Sequence, residues 1–231
     1  YEKRLSKFDI VQDYIKVVSE SLTAQAYITT DLDDNQITAF HPGAMMESHQ
    51  NSISSVTEKL DLAIIAPSGK EGMIKHAQEC SEKKIPFIFD PGQGLPMFDK
   101  IELNAFIDQA TYIAVNDYEA ELLMKVSGLS ISEIQKKVEA FIITKGAHGS
   151  EIYCDNKITI APIKAESTID PTGCGDAYRA GLLYGISNKF SWEDTGKLAS
   201  VMGSIKIKTQ GGQNHSPSIS EIEGLFGKKL I

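Results

Sequence analysis

The chain has 231 residues, of which 42% are hydrophobic and 23% are charged, and 23 basic against 31 acidic residues leave a net charge of −8. This composition indicates a folded core and excludes intrinsic disorder as the main description. No stretch approaches the roughly 20 apolar residues that a membrane-spanning helix needs, and the lack of a basic block argues against nucleic acid as a partner.

The first part of the chain predicts a β-hairpin. Residues 1–8 are polar with scattered apolar positions, which is typical of the end of a helix. Two β-prone runs, residues 23–30 and 36–40, then flank the Asp/Asn cluster at 31–35. Such runs around a turn-forming cluster are typical of a hairpin. We expect a small β appendage at about residues 23–40.

The middle of the chain alternates apolar runs with amphipathic segments. Apolar runs lie at 62–66, 85–89, 112–115 and 141–143. Helical patterns follow the first run at about 72–83, the second at 100–110, and the third up to 124 and again at 131–138. Fully apolar strands in this alternation predict a parallel sheet with helices on both faces. Ligands bind beyond the carboxyl ends of such strands. Those ends carry polar side chains, namely Ser68, Asp90, Asn116 and Thr144.

The last third of the chain is mostly helical after a second hairpin at residues 151–153 and 157–160. Helices are predicted at about 175–187, 191–208 and 218–226. There is no internal repeat and no obvious linker. We therefore predict one α/β domain over residues 1–231 with a small β appendage.

Cysteine usage indicates a reducing compartment. Cys80, Cys154 and Cys174 lie far apart, in an odd number and without a CxxC pair. This pattern favours neither a disulfide framework nor a zinc site. Because no signal-peptide pattern stands at the start, we expect a cytoplasmic protein.

The most informative stretch is residues 170–178, DPTGCGDAY. Thr172 and two glycines lead directly into a helix, whose free N–H groups and dipole make an anion site. Asp176 at the start of that helix has a plain explanation as a cap, and a lone Gly-x-Gly-Asp is not specific. However, a carboxylate inside an anion-binding turn repels phosphate. Its presence is explained if it takes the proton of a hydroxyl that attacks the phosphate.

This stretch resembles the D-x-T-G-x-G-D-x-F signature of the ribokinase-like (PfkB) carbohydrate and nucleoside kinases, with Tyr178 in place of Phe. Neither a P-loop nor a dinucleotide fingerprint competes with it. Further segments resemble family elements in the same order: NDYE at 116–119, TKGAHG at 144–149, GGQ at 211–213, and Asn35 with HPGA at 41–44. The resemblance spans essentially the whole chain and is nearest to bacterial adenosine kinase-like members. It implies a three-layer α/β sandwich with a mostly parallel sheet and a small β lid.

The resemblance also implies the catalytic roles. Asp176 is the general base that deprotonates the acceptor hydroxyl. The backbone N–H groups of Gly173, Cys174 and Gly175 form an anion hole for the transferred phosphate.

The cofactors implied by the resemblance are ATP, Mg²⁺ and K⁺. Asn116 and Glu119 hold a hydrated Mg²⁺, since magnesium keeps several of its waters. Asp170 and Thr172 are the candidate ligands of a K⁺ ion that shapes the anion hole. The residues expected to bind the nucleotide are Thr144, Gly146, Gly149 and Gly211.

The family's N-terminal part has no counterpart in the sequence. It supplies the first strand and a Gly-Gly turn that contacts the acceptor, whereas Gly211-Gly212 matches a different element. We therefore interpret the chain as lacking that segment and expect activity to belong to the complete protein.

The acceptor follows least directly from the sequence. Adenosine is favoured, and it needs an aromatic slot for which Tyr27, Phe40 and Phe89 are the candidates. Asp90-Pro91-Gly92 stands at a strand end where acceptor contacts are expected. Two alternatives stay open, namely a kinase of ribose, another sugar or a sugar phosphate, and a catalytically silent nucleotide- or nucleoside-binding protein.

Other charged residues receive no catalytic role. Arg179 lies three residues after Asp176 on the same helix face, and we interpret it as a surface charge, with neutralisation of phosphate as the alternative. The five histidines show no metal-ligand spacing. A monomer and a homodimer are both compatible with the sequence.

Overall fold

The computed structural model describes residues 2–30 and 36–230. A separate antiparallel hairpin consists of β1 (Gln25–Thr30) and β2 (Gln36–His41). The turn predicted at 31–35, including Asn35, lies outside the described residues. The segment that follows the hairpin is tied to the main body, because the N–H of Gly69 donates to the Met45 carbonyl at 3.2 Å. The small β appendage predicted from the sequence is confirmed.

A six-stranded sheet forms the centre of the molecule. In chain order its strands are β3 (Ala63–Ile65), β4 (Phe87–Phe89), β5 (Tyr112–Asn116), β6 (Ala140–Thr144), β7 (Ser150–Tyr153) and β8 (Lys157–Ile160). They lie side by side in this order; β3 to β6 are parallel, and β7 and β8 add antiparallel strands at one edge. The mostly parallel sheet is therefore confirmed.

Helices cover both faces of this sheet. The chain order is α1 (Glu2–Leu5), α2 (Lys70–Glu82), α3 (Lys100–Gln109), α4 (Asp117–Ser127), α5 (Ile131–Gln135), α6 (Cys174–Ser187), α7 (Trp192–Lys206) and α8 (Ile219–Phe226). Helices α2 to α5 pack on one face, and α6 and α7 pack on the other. This is a three-layer α/β sandwich.

The strands are apolar throughout because both of their faces are buried. In β4, Phe87 and Phe89 point into the core under α2 to α5, whereas Ile88 points into the core under α6 and α7. Burial on both sides removes the alternation that a half-exposed strand shows. The observed helices and strands differ from the predicted ones only at their ends. The largest difference is at α5, which ends at Gln135 and not near residue 138.

No helix in the described ranges 2–30 and 36–230 combines the length and the apolar character that crossing a membrane requires.

Candidate active site

The chain enters α6 through a turn in which position 173 accepts only glycine without strain. Gly173 has a φ of +84°, and a Cβ on it would lie 2.9 Å from the carbonyl oxygen of Gly212. The backbone N–H groups of Gly173, Gly175 and Asp176 have no acceptor among the described residues. Free donors at the positive end of a helix dipole make an anion-binding site.

The N–H of Cys174 differs from the other donors of this turn. It donates to the Pro171 carbonyl at 3.0 Å. Cys174 was expected to contribute its N–H to the anion hole, and it can do so only when this turn bond opens. The donors available in this structure are therefore those of Gly173, Gly175 and Asp176.

Asp176 is the third residue of α6 and its side chain is exposed. Its charge acts on Asp90 at the carboxyl end of β4. Burial raises the pKa of Asp90, the Arg179 guanidinium opposes this rise, and the negative charge of Asp176 adds to it. Arg179, three residues further along α6, pairs with Asp90, so the start of α6 lies near the carboxyl end of β4, where a ligand of a parallel sheet is expected.

Arg179 is buried, so its interpretation as a surface charge is wrong. Its Nε and Nη2 donate to the two carboxylate oxygens of Asp90, each at 3.0 Å, and Nη2 also donates to the Ala114 carbonyl at 3.2 Å. Both side chains are about nine-tenths buried. Helical spacing places Arg179 on the face of Asp176, but it does not reveal that this face packs on β4 and β5.

The remaining nitrogen of Arg179 reaches towards residues 173–176, which we call the anion turn. Nη1 would lie 3.6 Å from a Cβ built on Gly175, and it has no hydrogen bond to a described residue. The bidentate pair fixes the plane of the guanidinium. Arg179 therefore places a fixed positive charge beneath these free N–H donors, and Asp90 is engaged by it rather than free for an acceptor.

Asn116 and Glu119 form the start of α4. Asn116 Oδ1 accepts from the N–H of Glu119 at 2.7 Å, and Glu119 Oε2 accepts from the N–H of Asn116 at 2.8 Å, which is a capping box. Glu119 is 9% exposed. Burial raises its pKa, whereas the Asn116 N–H and the Arg179 charge oppose the rise. The second carboxylate oxygen, Oε1, has no partner among the described residues.

This arrangement fits a hydrated magnesium ion that arrives with the nucleotide. Among the described residues there is no group of three or more His, Cys, Asp or Glu side chains that could cage a metal. Magnesium does not need such a cage, because it binds through one or two carboxylates, waters and substrate phosphates. The free oxygen of Glu119 beside the strand ends could supply one such contact.

The loop after β6 contains two glycines with different roles. Thr144 ends β6 next to Asn116 of β5, and its hydroxyl donates to the Val115 carbonyl at 3.3 Å. Gly146 has a φ of +52° with nothing within 4 Å of a Cβ, whereas a Cβ on Gly149 would lie 2.1 Å from the Ile160 carbonyl oxygen. Gly146 therefore leaves room for a ligand, and Gly149 is required by packing against β8.

Asp170 joins the anion turn to residues 211–213, which we call the Gly211 turn. Its Oδ1 accepts from the Thr172 N–H at 2.8 Å and its Oδ2 from the Gly211 N–H at 2.7 Å. These two bonds lower the pKa of Asp170 to about 2. The buried side chain of Lys206 donates to the Asp170 carbonyl at 2.9 Å. No sequence signal distinguishes Lys206, because lysine is common in the last turn of a helix.

The structure also decides among the aromatic candidates. Phe89 is fully buried and stacks on Phe106 with ring centroids 4.3 Å apart, so its expected place in an acceptor slot is wrong. Tyr27 and Phe40 are exposed on the hairpin. Tyr27 pairs with Ala39 and Phe40 with Ala26, so the two rings lie on opposite faces and only one of them can face a given pocket.

The structure explains why residue 178 is tyrosine where the family signature has phenylalanine. Its hydroxyl lies 2.7 Å from the Ser150 hydroxyl at the start of β7, and both residues are buried. Burial raises the pKa of Tyr178. A buried hydroxyl needs such a partner, and Ser150 provides it.

Known proteins resemble this chain over most of its length. The model of the pfkB family carbohydrate kinases matches residues 1–219. The nucleoside kinase of Methanocaldococcus jannaschii is 33% identical over the whole of this chain and 76% of its own length. The ribokinase of Bacillus subtilis is 26% identical over 93% of this chain and 72% of its own length.

Solved structures show the same fold. The nucleoside kinase of Burkholderia thailandensis in complex with inosine is 49% identical, with a TM-score of 0.96 over 99% of this chain and 77% of its own. The same enzyme in complex with ADP and inosine is 50% identical, with a TM-score of 0.94 over 98% of this chain and 71% of its own. These similarities cover the sheet, the helices and the hairpin.

Proposed function

The chain belongs to the pfkB family of carbohydrate kinases and is a kinase of a nucleoside or a sugar, and from this we propose a specific reaction. The chain transfers the γ-phosphoryl group of ATP to the primary hydroxyl of a ribonucleoside, with adenosine as the favoured acceptor. The observation that carries this proposal is the position of Asp176. An exposed carboxylate stands in the same turn as the free N–H groups of Gly173 and Gly175. A base and an anion hole in one turn suit phosphoryl transfer to a hydroxyl.

The proposed reaction follows from these groups. Asp176 accepts the proton of the acceptor hydroxyl as that oxygen attacks the γ-phosphorus, and the bond to the β-phosphate oxygen breaks. The free N–H groups of the turn stabilise the charge on the transferred group's oxygens. Arg179, fixed by Asp90, supports these donors with positive charge from below.

Nucleotide and metal are proposed to bind at the neighbouring strand ends. Gly146 leaves open space at the end of β6, and the Gly211 turn packs against the anion turn through Gly212. Magnesium bound with ATP neutralises phosphate charge, and Asn116 and Glu119 would hold its waters. Thr144, Gly149 and Gly211 shape the nucleotide loops.

A ribonucleoside is proposed over a free sugar because of the relatives. The Methanocaldococcus jannaschii and Burkholderia thailandensis relatives are nucleoside kinases. The ribokinase relative supports the alternative, phosphorylation of ribose. An exposed ring on either hairpin face, Tyr27 or Phe40, offers a stacking surface that a nucleobase would use and a free sugar would not.

We expect the acceptor panel to separate these substrates. ADP release from Mg·ATP is measured with adenosine, inosine, ribose and fructose 6-phosphate in turn. The kcat/KM for adenosine should exceed that for ribose by roughly 10–100-fold, because base stacking on an aromatic ring contributes about 1–3 kcal/mol.

The control acceptor is 5′-deoxyadenosine, which lacks the primary hydroxyl and should compete with adenosine without turnover. Preference for ribose would contradict the nucleoside assignment. Measurable ATP binding without turnover of any acceptor would favour the silent binding protein.

Glu119→Gln should raise the Mg²⁺ concentration needed for half-maximal activity. Glutamine keeps the capping box, since its side-chain oxygen also accepts from the Asn116 N–H, but it removes the charge that attracts magnesium waters. The measurement is activity against free Mg²⁺ at saturating ATP. Glu133→Gln makes the same change at the third residue of α5, also in a capping box, and should behave as wild type. Superimposable magnesium curves for Glu119→Gln and wild type would refute the role of Glu119.

A further inference from the structure

Lys206 is a buried lysine that the proposed mechanism does not use. It is the last residue of α7 and its side chain is 0% exposed. A buried ammonium is costly unless hydrogen bonds and charge compensate it. Lys206 therefore needs an explanation within the fold.

The partners of Lys206 are carbonyl oxygens. Nζ donates to the Asp170 carbonyl at 2.9 Å and to the Thr209 carbonyl at 2.9 Å. No carboxylate among the described residues forms an ion pair with it. Backbone carbonyls in a loop are also the surroundings of a bound monovalent cation. The ammonium group of lysine has the same charge as K⁺ and a similar size.

The ammonium lies where it can hold the anion turn. The Asp170 carbonyl belongs to the loop that leads to Gly173, and Thr209 leads to the Gly211 turn. The Asp170 carboxylate bridges the same two segments through Thr172 and Gly211. Burial raises the pKa of the Cys174 thiol and the Lys206 charge opposes that rise, so the charge acts on the anion turn itself.

We propose that the Lys206 ammonium serves as a built-in monovalent cation that holds the loop before the anion hole, so that this kinase works without K⁺. Asp170 and Thr172 are the expected K⁺ ligands, but the Asp170 carbonyl is already bound by a positive charge. A second cation beside it would be repelled. The residues therefore do not fit a K⁺ ion, and Lys206 is a positioning residue for the anion hole.

The test compares cations at equal ionic strength. Wild type, Lys206→Ala and Lys206→Met are assayed in KCl, NH₄Cl, NaCl and tetramethylammonium chloride. Wild type should have the same kcat and KM for ATP in all four salts. In tetramethylammonium, both variants should lose roughly 10–100-fold in kcat/KM for ATP, as expected when hydrogen bonds of a charged group are removed.

The two variants differ in the space that they leave. Alanine leaves a cavity that K⁺ or NH₄⁺ can enter, so these ions should restore most of the activity of Lys206→Ala. Methionine fills the space, so Lys206→Met should not recover. Lys208→Ala removes a nearby lysine whose Nζ lies 3.4 Å from Glu221, and it should keep the wild-type response to salts.

A second readout does not depend on the acceptor. The melting temperature of Lys206→Ala should rise in K⁺ or NH₄⁺ relative to tetramethylammonium, because an ion that binds only the folded state stabilises it. The melting temperature of wild type should show no such difference. The activity arm rests on the proposed function, whereas the melting arm tests Lys206 even if the acceptor assignment fails.

Three results would overturn the proposal. One is stimulation of wild type by K⁺, which decides the question even if neither variant folds. Another is a folded Lys206→Ala that is equally impaired in every salt, and the third is full activity of that variant in tetramethylammonium.

Discussion

Asp176→Asn is expected to lower kcat by about 10²–10⁴-fold, which is the contribution of a positioned general base. The amide has the size of the carboxylate but cannot take the proton of the acceptor hydroxyl. The side chain is exposed at the third residue of α6 and takes part in no packing that the amide would disturb. We therefore expect the same fold and a melting temperature close to that of wild type.

ATP binding distinguishes this role from a contribution to affinity. The carboxylate repels phosphate, so its removal should leave the Kd for Mg·ATP unchanged or slightly lower. Calorimetric titration with ATP and steady-state ADP release would measure the two quantities separately. A loss in kcat without a loss in binding is the pattern of an interaction made in the transition state.

A matched control is available in the next helix. Asp194 is the third residue of α7, so Asp194→Asn makes the same chemical change at the same helical position. Its carboxylate pairs with Lys228 at the surface, and such pairs contribute about 0–1 kcal/mol. Asp194→Asn should keep wild-type turnover. Equal turnover of Asp176→Asn and wild type would remove the base from the proposed mechanism.

The fold was predictable because its signals are local and strong. Strands buried on both faces appear as unbroken apolar runs, such as residues 85–89, and helices show their own period. The second hairpin was predictable from its turn at Asp155 and Asn156. Element ends moved by a few residues because the final hydrogen bonds of a helix depend on tertiary partners, as at α5.

The candidate site was predictable from the sequence only within the motif at residues 170–178. The stretch 170–178 has spacing that backbone geometry demands, since Gly173 needs a positive φ beneath Gly212. The roles of Arg179 and Lys206 were not predictable, because their charge suggests exposure, whereas burial depends on what the helix packs against. Phe89 was misplaced for a related reason, since position at a strand end does not tell which face a ring points to.

Arg179→Met is expected to lower the free energy of unfolding by about 3–5 kcal/mol at neutral pH, as breaking a buried ion pair does. The loss arises mainly because Asp90 stays buried without its partner. Methionine has a similar volume to the aliphatic part of arginine, so little packing is lost. Urea unfolding measures the change. Lys228→Met breaks the surface pair with Asp194 and should cost less than about 1 kcal/mol.

The pKa of Asp90 predicts how the stability loss of Arg179→Met changes with pH. Burial already raises the pKa of Asp90 and Arg179 opposes the rise, so removal of Arg179 should raise that pKa further. A carboxyl group with a raised pKa in the folded state binds more protons there than in the unfolded chain. Stability then increases as pH falls through the folded-state pKa towards the unfolded value. The deficit of Arg179→Met relative to wild type should therefore shrink as the pH is lowered from 7.

The double variant tests whether the pair or the arginine alone carries the stability. Asp90→Asn with Arg179→Met removes both charges, and replacing both partners of a buried pair is far less costly than removing one. The double variant should be more stable than Arg179→Met, with little of its pH dependence. If the single variant lost less than about 1 kcal/mol, or if the double variant were no more stable, the pair would not be what fixes α6 against β4 and β5.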